Sequence, residues 1–348
     1  MPKVAIIGTT TWGITLGVVL ALKRAEIRLW ARTEKEASDL RNAEFPSESL
    51  SGITLPQRLS ITSSLEEALA DVKAVIMAVP SQSMRQNIKL VAPHLDGSML
   101  IVSAAKGLEL ETNQRMSQVI AEEIKPDFHS NICVLSGPNL SQEILRDLPA
   151  AAVVAAHSEA VARKAQKLLN TPNLCIYTNT DVTGVELGGS LKNIIALGAG
   201  IVDGLGYGDN AKAALITRGL TEIAALGVTL GANPLTFAGL TGFGDLFATC
   251  ASPLSRNHYV GVELTKGRQL EEITSSMSGV AEGVATTAVA YSLAQQFKLE
   301  MPVTEKLYRV LYEGLSPKQA ALELMEANVK HELRGRRWRL FSLFKRRS

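Results

Sequence analysis

Two kinds of hydrophobic pattern divide the chain. In the first half, apolar runs of strand length alternate with amphipathic helical patterns, which is typical of a sheet covered on both faces by helices. This alternation predicts an α/β domain built on a doubly wound parallel sheet. Eight runs fit strands, at residues 4–7, 27–30, 59–62, 74–79, 99–104, 132–135, 151–155 and 174–177.

The pattern changes near residue 180. From there to residue 330, long stretches rich in Ala, Gly and Leu have helical periodicity, and none resembles a strand. The sequence therefore predicts an α/β domain over 1–180, an all-α domain over 181–330 and a tail over 331–348. Within the first domain, Ser64 and Glu67 have the spacing of a capping box at a helix start.

The stretch "VAIIGTTTWG" at residues 4–13 joins the first predicted strand to the first helix. Gly8 and Gly13 match the outer glycines of the G-x-G-x-x-G loop that binds pyrophosphate in Rossmann folds, but Thr10 replaces the middle glycine. Helix-start amides attract anions, which favours a nucleotide site. A strand–turn–helix that binds nothing is the alternative. If a dinucleotide binds, we expect the Thr10 hydroxyl to face its pyrophosphate.

The second predicted strand leads directly to Arg32, in the stretch "IRLWAR". Rossmann sites that prefer NAD place Asp or Glu near this point to bind the ribose hydroxyls, whereas an arginine suits the 2′-phosphate of NADP. The alternative is a solvated arginine followed by Glu34. On the first interpretation, the first domain is a dinucleotide-binding domain.

Two lysines stand out among apolar residues. Lys192 is the only charged residue over 187–201. Burial disfavours the charged form of a lysine, so a lysine in such a helix can act as a general acid or base. Alternatively, its stem packs while its ammonium group reaches water. Lys106 follows a predicted strand, where open α/β sheets bind ligands.

The stretch "LTGFGDLFATCASPLSRN" at residues 240–257 combines glycines with one acid, Asp245, and with the hydroxyls of Thr249 and Ser255. It ends on Arg256 and Asn257. Arginine with Ser and Asn donors suits a phosphate group. By itself, this composition is also that of an ordinary loop.

The composition limits the classes of function. Of 348 residues, 46% are hydrophobic and 20% are charged, as in soluble globular proteins. The net charge of +2 predicts no bulk affinity for nucleic acid. Three scattered cysteines do not suggest a disulfide framework or a zinc site. No uncharged apolar run reaches membrane-spanning length, and we expect a cytoplasmic protein.

The tail over 331–348 has an unusual composition. It holds seven Lys or Arg residues against one Glu, and over 334–348 the basic residues flank five large apolar residues. Such segments can lie weakly on anionic membranes. Because Arg336 and Arg337 fall within the apolar arc of an ideal helix, we expect a solvated tail, with weak peripheral membrane contact as the alternative.

Eight motifs occur in order along residues 4–283: "IIGTTTWG", "AVPSQ", "AAKGLE", "LSGPNLSQEI", "GVELGGSLKNIIALGAG", "LTGFGDLFATC", "SRN" and "AEG". Together they resemble the NAD(P)-dependent glycerol-3-phosphate dehydrogenases of the bacterial type, from residue 3 to about residue 325. The resemblance implies a second domain like that of 6-phosphogluconate dehydrogenase, an active site shared by both domains, and a homodimer. It implies interconversion of dihydroxyacetone phosphate and sn-glycerol 3-phosphate with NADP or NAD, supplying glycerophospholipid synthesis without a metal.

The same resemblance implies roles for individual residues. Lys192 would be the general acid/base at the substrate C2 oxygen, while Asp245 and Thr249 would orient the reacting centre and Lys106 would touch both substrate and cofactor. The substrate contacts would be Lys106, Gly137, Asn139, Lys192, Asp245, Ser255, Arg256 and Asn257. The cofactor contacts would be Gly8, Thr11, Trp12, Gly13, Arg32, Lys106, Ser141, Arg256, Val280 and Glu282, with Arg32 favouring NADPH.

Three positions depart from the family pattern. Thr9 and Thr10 follow Gly8 where the family loop usually reads Gly-Ala-Gly, Asn139 replaces the common Ser or Thr, and Ser141 replaces the usual Ala. Two alternative functions stay open at this point. One is a related dehydrogenase of another small phosphorylated or hydroxy-acid substrate. The other is a dinucleotide sensor without turnover, for which Thr10 is the best argument.

Overall fold

An eight-stranded sheet forms the centre of the first domain. The structure, a computed structural model, describes residues 1–23, 25–42, 50 and 52–326, so the predictions for the tail lie outside the described residues. All eight predicted strands are confirmed, and their ends differ from the predictions by two residues at most. They are β1 Lys3–Ile7, β2 Glu26–Trp30, β3 Leu59–Thr62, β4 Ala74–Met77, β5 Leu100–Ser103, β6 Ile132–Ser136, β7 Ala150–Ala155 and β8 Leu174–Asn179.

The spatial order of the strands is β3-β2-β1-β4-β5-β6-β7-β8. The first six strands are parallel, whereas β7 runs antiparallel to β6 and β8 runs parallel to β7. The predicted parallel sheet is therefore correct for six strands, and the last two are reversed. The helix between β6 and β7 has only five residues, whereas the crossover between parallel strands is usually a longer helix.

Helices cover both faces of this sheet, as the doubly wound prediction requires. Along β1, Val4 and Ile6 belong to the core on one face, while Ala5 and Ile7 belong to the core on the other. The first face carries α1 Thr11–Leu22, α2 Glu34–Arg41, α6 Ser141–Leu145 and α7 Glu159–Leu169, and the second carries α3 Leu65–Leu69, α4 Met84–Val91 and α5 Met116–Glu123.

The predicted capping box is half formed. Ser64 Oγ accepts a hydrogen bond from Glu67 N at 3.2 Å and caps α3. The Glu67 carboxylate does not return to the Ser64 amide, because it accepts from Thr62 Oγ1 at 2.5 Å instead.

The second domain contains helices and connecting turns, with no strand among its described residues. Its longest helix, α8, follows β8 closely and is capped by Asp181, whose Oδ1 accepts from Gly184 N at 2.9 Å. Among the described residues, only α8 has the length and hydropathy of a membrane-spanning helix, and its apolar window is entirely buried inside the protein. The helices are α8 Val182–Gly204, α9 Gly208–Thr229, α10 Asp245–Ala251, α11 Arg256–Thr265, α12 Leu270–Ser275, α13 Glu282–Phe297, α14 Pro302–Tyr312 and α15 Pro317–Glu326.

Helix α8 also joins the two domains. Val182 and Val185 in its first turns share a buried cluster with Val134 of β6 and Val153 of β7. Because α10, α11 and α13 pack around α8, their residues face the carboxyl ends of β4, β5 and β6. This junction contains the buried polar groups described next.

Candidate active site

Lys192 lies in the middle of α8 and is buried, with 6% of its surface exposed. Its ammonium group donates to Asp245 Oδ1 at 2.5 Å and to Thr249 Oγ1 at 2.6 Å. Thr249 donates in turn to the Asp245 carbonyl oxygen at 2.6 Å. The alternative in which the Lys192 ammonium group reaches water is wrong, because it is paired with a buried carboxylate.

Lys106, just past β5, approaches the same carboxylate from the other domain. Its Nζ donates to Asp245 Oδ2 at 2.8 Å, to Gly137 O at 2.8 Å and to Asn139 Oδ1 at 2.6 Å. Burial lowers the pKa of Lys106 to about 8, the Asp245 carboxylate opposes this shift, and the charge of Lys192 adds to it. With Lys106 protonated, two ammonium groups share one carboxylate, and the excess positive charge suits an anionic substrate.

The loop after β6 supplies polar atoms beside Lys106. Gly137 has a φ of +136°, and a Cβ there would lie 2.8 Å from Ala152 Cα, so only glycine fits. The buried Nδ2 of Asn139 and the buried Oγ of Ser136 have no hydrogen-bond partner among the described residues. Unpartnered buried polar atoms mark a place for a polar ligand or water. Sequence reasoning missed Ser136, although it begins the "SGPN" motif.

A chain of side-chain amides connects the helices around this cluster. Asn193 Nδ2 donates to Lys106 O at 3.1 Å, Asn257 Nδ2 donates to Asn193 Oδ1 at 3.0 Å, and Gly283 N donates to Asn257 Oδ1 at 2.9 Å. The predicted substrate residue Asn257 is thus engaged within the protein and keeps one N–H for a ligand. Asn193 was missed, although a polar residue directly after Lys192 in an apolar helix is a usable signal.

The other predicted phosphate residues lie at the start of α11. Ser255 caps this helix, since its Oγ accepts from His258 N at 3.2 Å. Arg256 is exposed and lies against Gly279, where a Cβ would come within 2.1 Å of the guanidinium Nη1. Among the described residues, the Arg256 guanidinium makes no ion pair, which leaves its donors for an anion.

Glu282, the first residue of α13, reaches across to the first domain. Its Oε1 accepts from Ser81 N at 2.9 Å and its Oε2 accepts from Ser81 Oγ. Burial raises the pKa of Glu282, and the hydrogen bonds from Ser81 oppose that shift. A Cβ on Gly107 would lie 2.8 Å from Glu282 Oε2, so this carboxylate lies next to the turn that carries Lys106. Val280, two residues before Glu282 in the sequence, is exposed.

The glycine loop has the shape expected of a dinucleotide site. Gly8 has a φ of +111°, and a Cβ on Gly13 would lie 2.2 Å from Gly8 O, so both glycines are required by the turn. The Thr10 hydroxyl does not face outward: it donates to Ala78 O at 2.7 Å and accepts from Gly13 N at 3.1 Å. The prediction that this hydroxyl faces a pyrophosphate is therefore wrong, because it caps α1 instead.

The groups around this loop fit an anionic dinucleotide. Thr11 and Trp12 begin α1, ahead of the first amide that bonds within the helix, which is Ile14 N to Thr10 O at 2.9 Å. Their amides are therefore available to an anion. The buried Trp12 Nε1 has no hydrogen-bond partner among the described residues. Ser141 begins α6, which packs against α1.

The predicted residues are spread along one edge of the sheet. Hydrogen bonds join Lys106, Gly137, Asn139, Lys192, Asp245 and Thr249 in one cluster, whereas Arg32, Ser141 and Val280 lie outside it. Arg32 is exposed just past β2, and β1 and β4 lie between β2 and β5. Such a separation suits an extended dinucleotide. In the described part of the chain, no group of three or more His, Cys, Asp or Glu side chains is placed to hold a metal ion.

Comparisons with known proteins agree over the whole chain. Two family profiles, described as the N-terminus and the C-terminus of NAD-dependent glycerol-3-phosphate dehydrogenase, match residues 3–162 and 181–322. A glycerol-3-phosphate dehydrogenase (NAD(P)+) from Dehalococcoides mccartyi is 64% identical over 100% of this chain and 97% of the relative. Another from Citrifermentans bemidjiense is 46% identical over 95% and 98%. The crystal structure of a glycerol-3-phosphate dehydrogenase from Coxiella burnetii superposes with a TM-score of 0.87, at 34% identity over 93% of this chain and 99% of that one.

Proposed function

We propose, since the chain belongs to the NAD-dependent glycerol-3-phosphate dehydrogenase family, that it interconverts dihydroxyacetone phosphate and sn-glycerol 3-phosphate. One structural observation supports the proposed reaction. Lys106 from the first domain and Lys192 from the second share the carboxylate of Asp245 in a buried cluster. This cluster offers a proton donor and excess positive charge to a carbonyl oxygen that becomes negative as it is reduced.

The enzyme depends on NAD(P), as its relatives do by name. The start of α1 supports this assignment through the amides of Thr11 and Trp12, the unpartnered indole N–H, and the two glycines that shape the turn. When bound, the nicotinamide exchanges a hydride with the substrate. We propose that Arg32 at the end of β2 pairs with a 2′-phosphate, so that NADPH is accepted.

Proton transfer is assigned to Lys192. Two of its N–H groups are held by Asp245 and Thr249, and the third remains for the C2 oxygen of the substrate. In the reduction, Lys192 donates a proton to that oxygen, and in the oxidation its amine takes the proton back. Lys106 keeps a second positive charge beside the oxygen, which stabilises negative charge there.

Substrate recognition is assigned to the groups around this cluster. The guanidinium of Arg256, which makes no ion pair among the described residues, and the start of α11 suit the phosphate, because helix-start amides and arginine both bind anions. Ser255 and Asn257 would shape that site from the same turn. The buried Nδ2 of Asn139 is a donor for a substrate oxygen.

The experiment that tests the reaction follows the absorbance of reduced nicotinamide with dihydroxyacetone phosphate as substrate. We expect turnover with the wild-type protein, and a loss of roughly 10²–10⁴-fold in kcat for Lys192→Ala with the Kd for cofactor nearly unchanged. Lys164→Ala, an exposed lysine on α7, is the matched control. Normal turnover of Lys192→Ala would contradict the assignment of proton transfer to Lys192.

The same assay separates the alternative functions. A dehydrogenase of another small phosphorylated or hydroxy-acid substrate would prefer a different phosphorylated carbonyl compound, or a 2-oxo acid, over dihydroxyacetone phosphate. A dinucleotide sensor would bind the cofactor and turn over none of them. The phosphate assignment predicts that Arg256→Ala raises KM for dihydroxyacetone phosphate and leaves the slow reaction of unphosphorylated dihydroxyacetone unchanged.

We further propose that the protein is a cytoplasmic homodimer that supplies glycerophospholipid synthesis. This proposal is supported by the family resemblance, and sedimentation equilibrium of the full chain measures its oligomeric part. A mass of one chain at micromolar concentration would contradict it.

A further inference from the structure

The side chain of Glu36 links the glycine loop to the end of β2. Its Oε1 accepts a hydrogen bond from Thr9 Oγ1 in the loop, and its Oε2 accepts from Arg32 N at 3.0 Å. The last residues of β1 and β2, Ile7 and Trp30, are paired, so Thr9 and Arg32 leave the sheet side by side. The carboxylate of Glu36 therefore lies where a Rossmann site receives the adenosine ribose.

This carboxylate retains capacity to bind hydroxyl groups. Its two oxygens offer about four acceptor positions, of which Thr9 and Arg32 use two. Glu36 is half-buried rather than enclosed, so a ligand at the surface can reach its remaining acceptor positions. The neighbouring acid Glu34 is engaged elsewhere, since it accepts from Ser63 Oγ at 2.6 Å and from Arg41.

We propose that Glu36 is a specificity-determining residue that binds the adenosine ribose hydroxyls of NAD(H) and disfavours the 2′-phosphate of NADP(H). The inference rests on the proposed function for the identity of the cofactor. Arg32 and Glu36 then have opposite effects on cofactor preference at the end of β2. The guanidinium favours a 2′-phosphate, and the carboxylate favours a free 2′-hydroxyl. A site with both residues accepts both cofactors.

A purely structural role for Glu36 has a different signature. Glu36 is the third residue of α2, and its amide donates to the capping Oγ1 of Thr33 at 3.2 Å, so its carboxylate also belongs to the helix start. Loss of that role alone would weaken both cofactors equally. Glu36→Gln keeps an acceptor oxygen while removing the charge, and Thr33→Ala removes the helix cap while leaving the charge of Glu36 in place.

The experiment measures the dissociation constants of two adenosine fragments by calorimetric titration of the full chain. The fragment 5′-AMP represents the adenosine part of NAD, and 2′,5′-ADP represents that of NADP. For Glu36→Gln we expect the ratio Kd(2′,5′-ADP)/Kd(5′-AMP) to fall by roughly tenfold, and for Arg32→Ala we expect it to rise. Glu34→Gln and Thr33→Ala are controls that should leave the ratio unchanged. An unchanged ratio in Glu36→Gln, or an equal change in Thr33→Ala, overturns the proposal.

Steady-state kinetics supplies the second readout. We expect kcat/KM for NADPH relative to NADH to rise in Glu36→Gln by a factor similar to that of the fragment ratio. If the wild-type protein does not reduce dihydroxyacetone phosphate at all, the proposed function fails while the fragment titration still decides the role of Glu36. If the wild-type protein turns over and the ratio of fragment dissociation constants is unchanged in Glu36→Gln, the proposed role of Glu36 is wrong while the proposed function stands.

Discussion

The two buried lysines differ in how many of their donors the protein uses. Lys106 donates to three acceptors, so its whole ammonium group is engaged, whereas the described residues engage two donors of Lys192. A general acid needs a donor directed at the substrate, and a group that only supplies charge does not. The geometry thus favours Lys192 for proton transfer and Lys106 for electrostatic stabilisation.

The charge of Lys106 makes the reaction sensitive to alkaline pH. Burial lowers its pKa to about 8, so the ammonium form is complete well below that pH and is lost as the pH rises through it. We expect kcat/KM for dihydroxyacetone phosphate to fall above pH 8, because this parameter reports the ionisation of the free enzyme. In Lys106→Arg, which stays charged, the decrease should move to higher pH on a lower overall rate. A pH profile with the same midpoint in both proteins would assign the decrease to another group.

The hydroxyl of Thr10 also has a role that can be measured. It caps α1 and bonds to Ala78 O, so it belongs to the turn rather than to the ligand. Thr10→Gly should therefore preserve activity and leave the Kd for NADPH no weaker, while lowering the free energy of unfolding by about 1 kcal/mol for the lost hydrogen bonds. Thr10→Ser, which keeps the hydroxyl, should retain stability. Cofactor titration together with urea unfolding checks this, and a large loss of affinity in Thr10→Gly would make the hydroxyl a ligand.

At the scale of elements, hydrophobic patterns predict which segments form strands and helices but not which way a strand runs. Most of the apolar runs become strands because helices bury both of their faces, whereas the edge strand β8 leaves Cys175 and Tyr177 exposed on one face. The reversal of β7 and β8 depends on the short connection through Ser141–Leu145, and the apolar run 151–155 contains only Ala and Val, so its hydrophobic pattern carries no information about strand direction. The close contact of α8 with α11 is likewise set by glycines whose importance shows only once the helices are packed.

That close contact can be tested at Gly261. A Cβ on Gly261 would lie 2.1 Å from Leu197 O, so Gly261→Ala must push α11 away from α8. We expect a loss of about 1–3 kcal/mol in the free energy of unfolding, as for other overpacked interiors. KM for dihydroxyacetone phosphate should also rise, because Arg256 and Asn257 begin the displaced helix. Gly97→Ala, whose new Cβ would meet Phe128 at an ordinary 3.5 Å, should change neither quantity.

At the scale of the whole molecule, the site is assembled from parts that are remote in sequence. Asp245 is 53 residues from Lys192 and 139 residues from Lys106, and Glu282 bonds to Ser81 across 201 residues. A lone lysine in an apolar helix can be noticed in the sequence, but the identity of its partner depends on how the two domains dock. The family resemblance indicated that Lys106, Lys192 and Asp245 belong to one site. It assigned no role to Ser81, Ser136 or Asn193, and these residues were not predicted.

The docking of the two domains depends in part on Glu186 of α8. Its carboxylate accepts from Ser117 N at 2.8 Å, from Ser117 Oγ at 2.5 Å and from Arg115 Nη1 at 2.5 Å, all at the start of α5 in the first domain. Glu186 is buried, and Arg115 is largely covered. Removing one partner of a covered ion pair leaves the other charge and an amide without an acceptor, which costs about 3 kcal/mol or more.

We therefore expect Glu186→Ala to lower the temperature of unfolding in calorimetry and to separate the unfolding of the two domains. Its kcat/KM should also fall, because Lys106 and Lys192 lie on opposite sides of this junction. The exposed pair Glu159 and Arg163, on one face of α7, is the matched control, since such pairs contribute only about 0.3–0.5 kcal/mol. If Glu159→Ala and Glu186→Ala unfold at the same temperature and turn over equally well, Glu186 does not couple the domains.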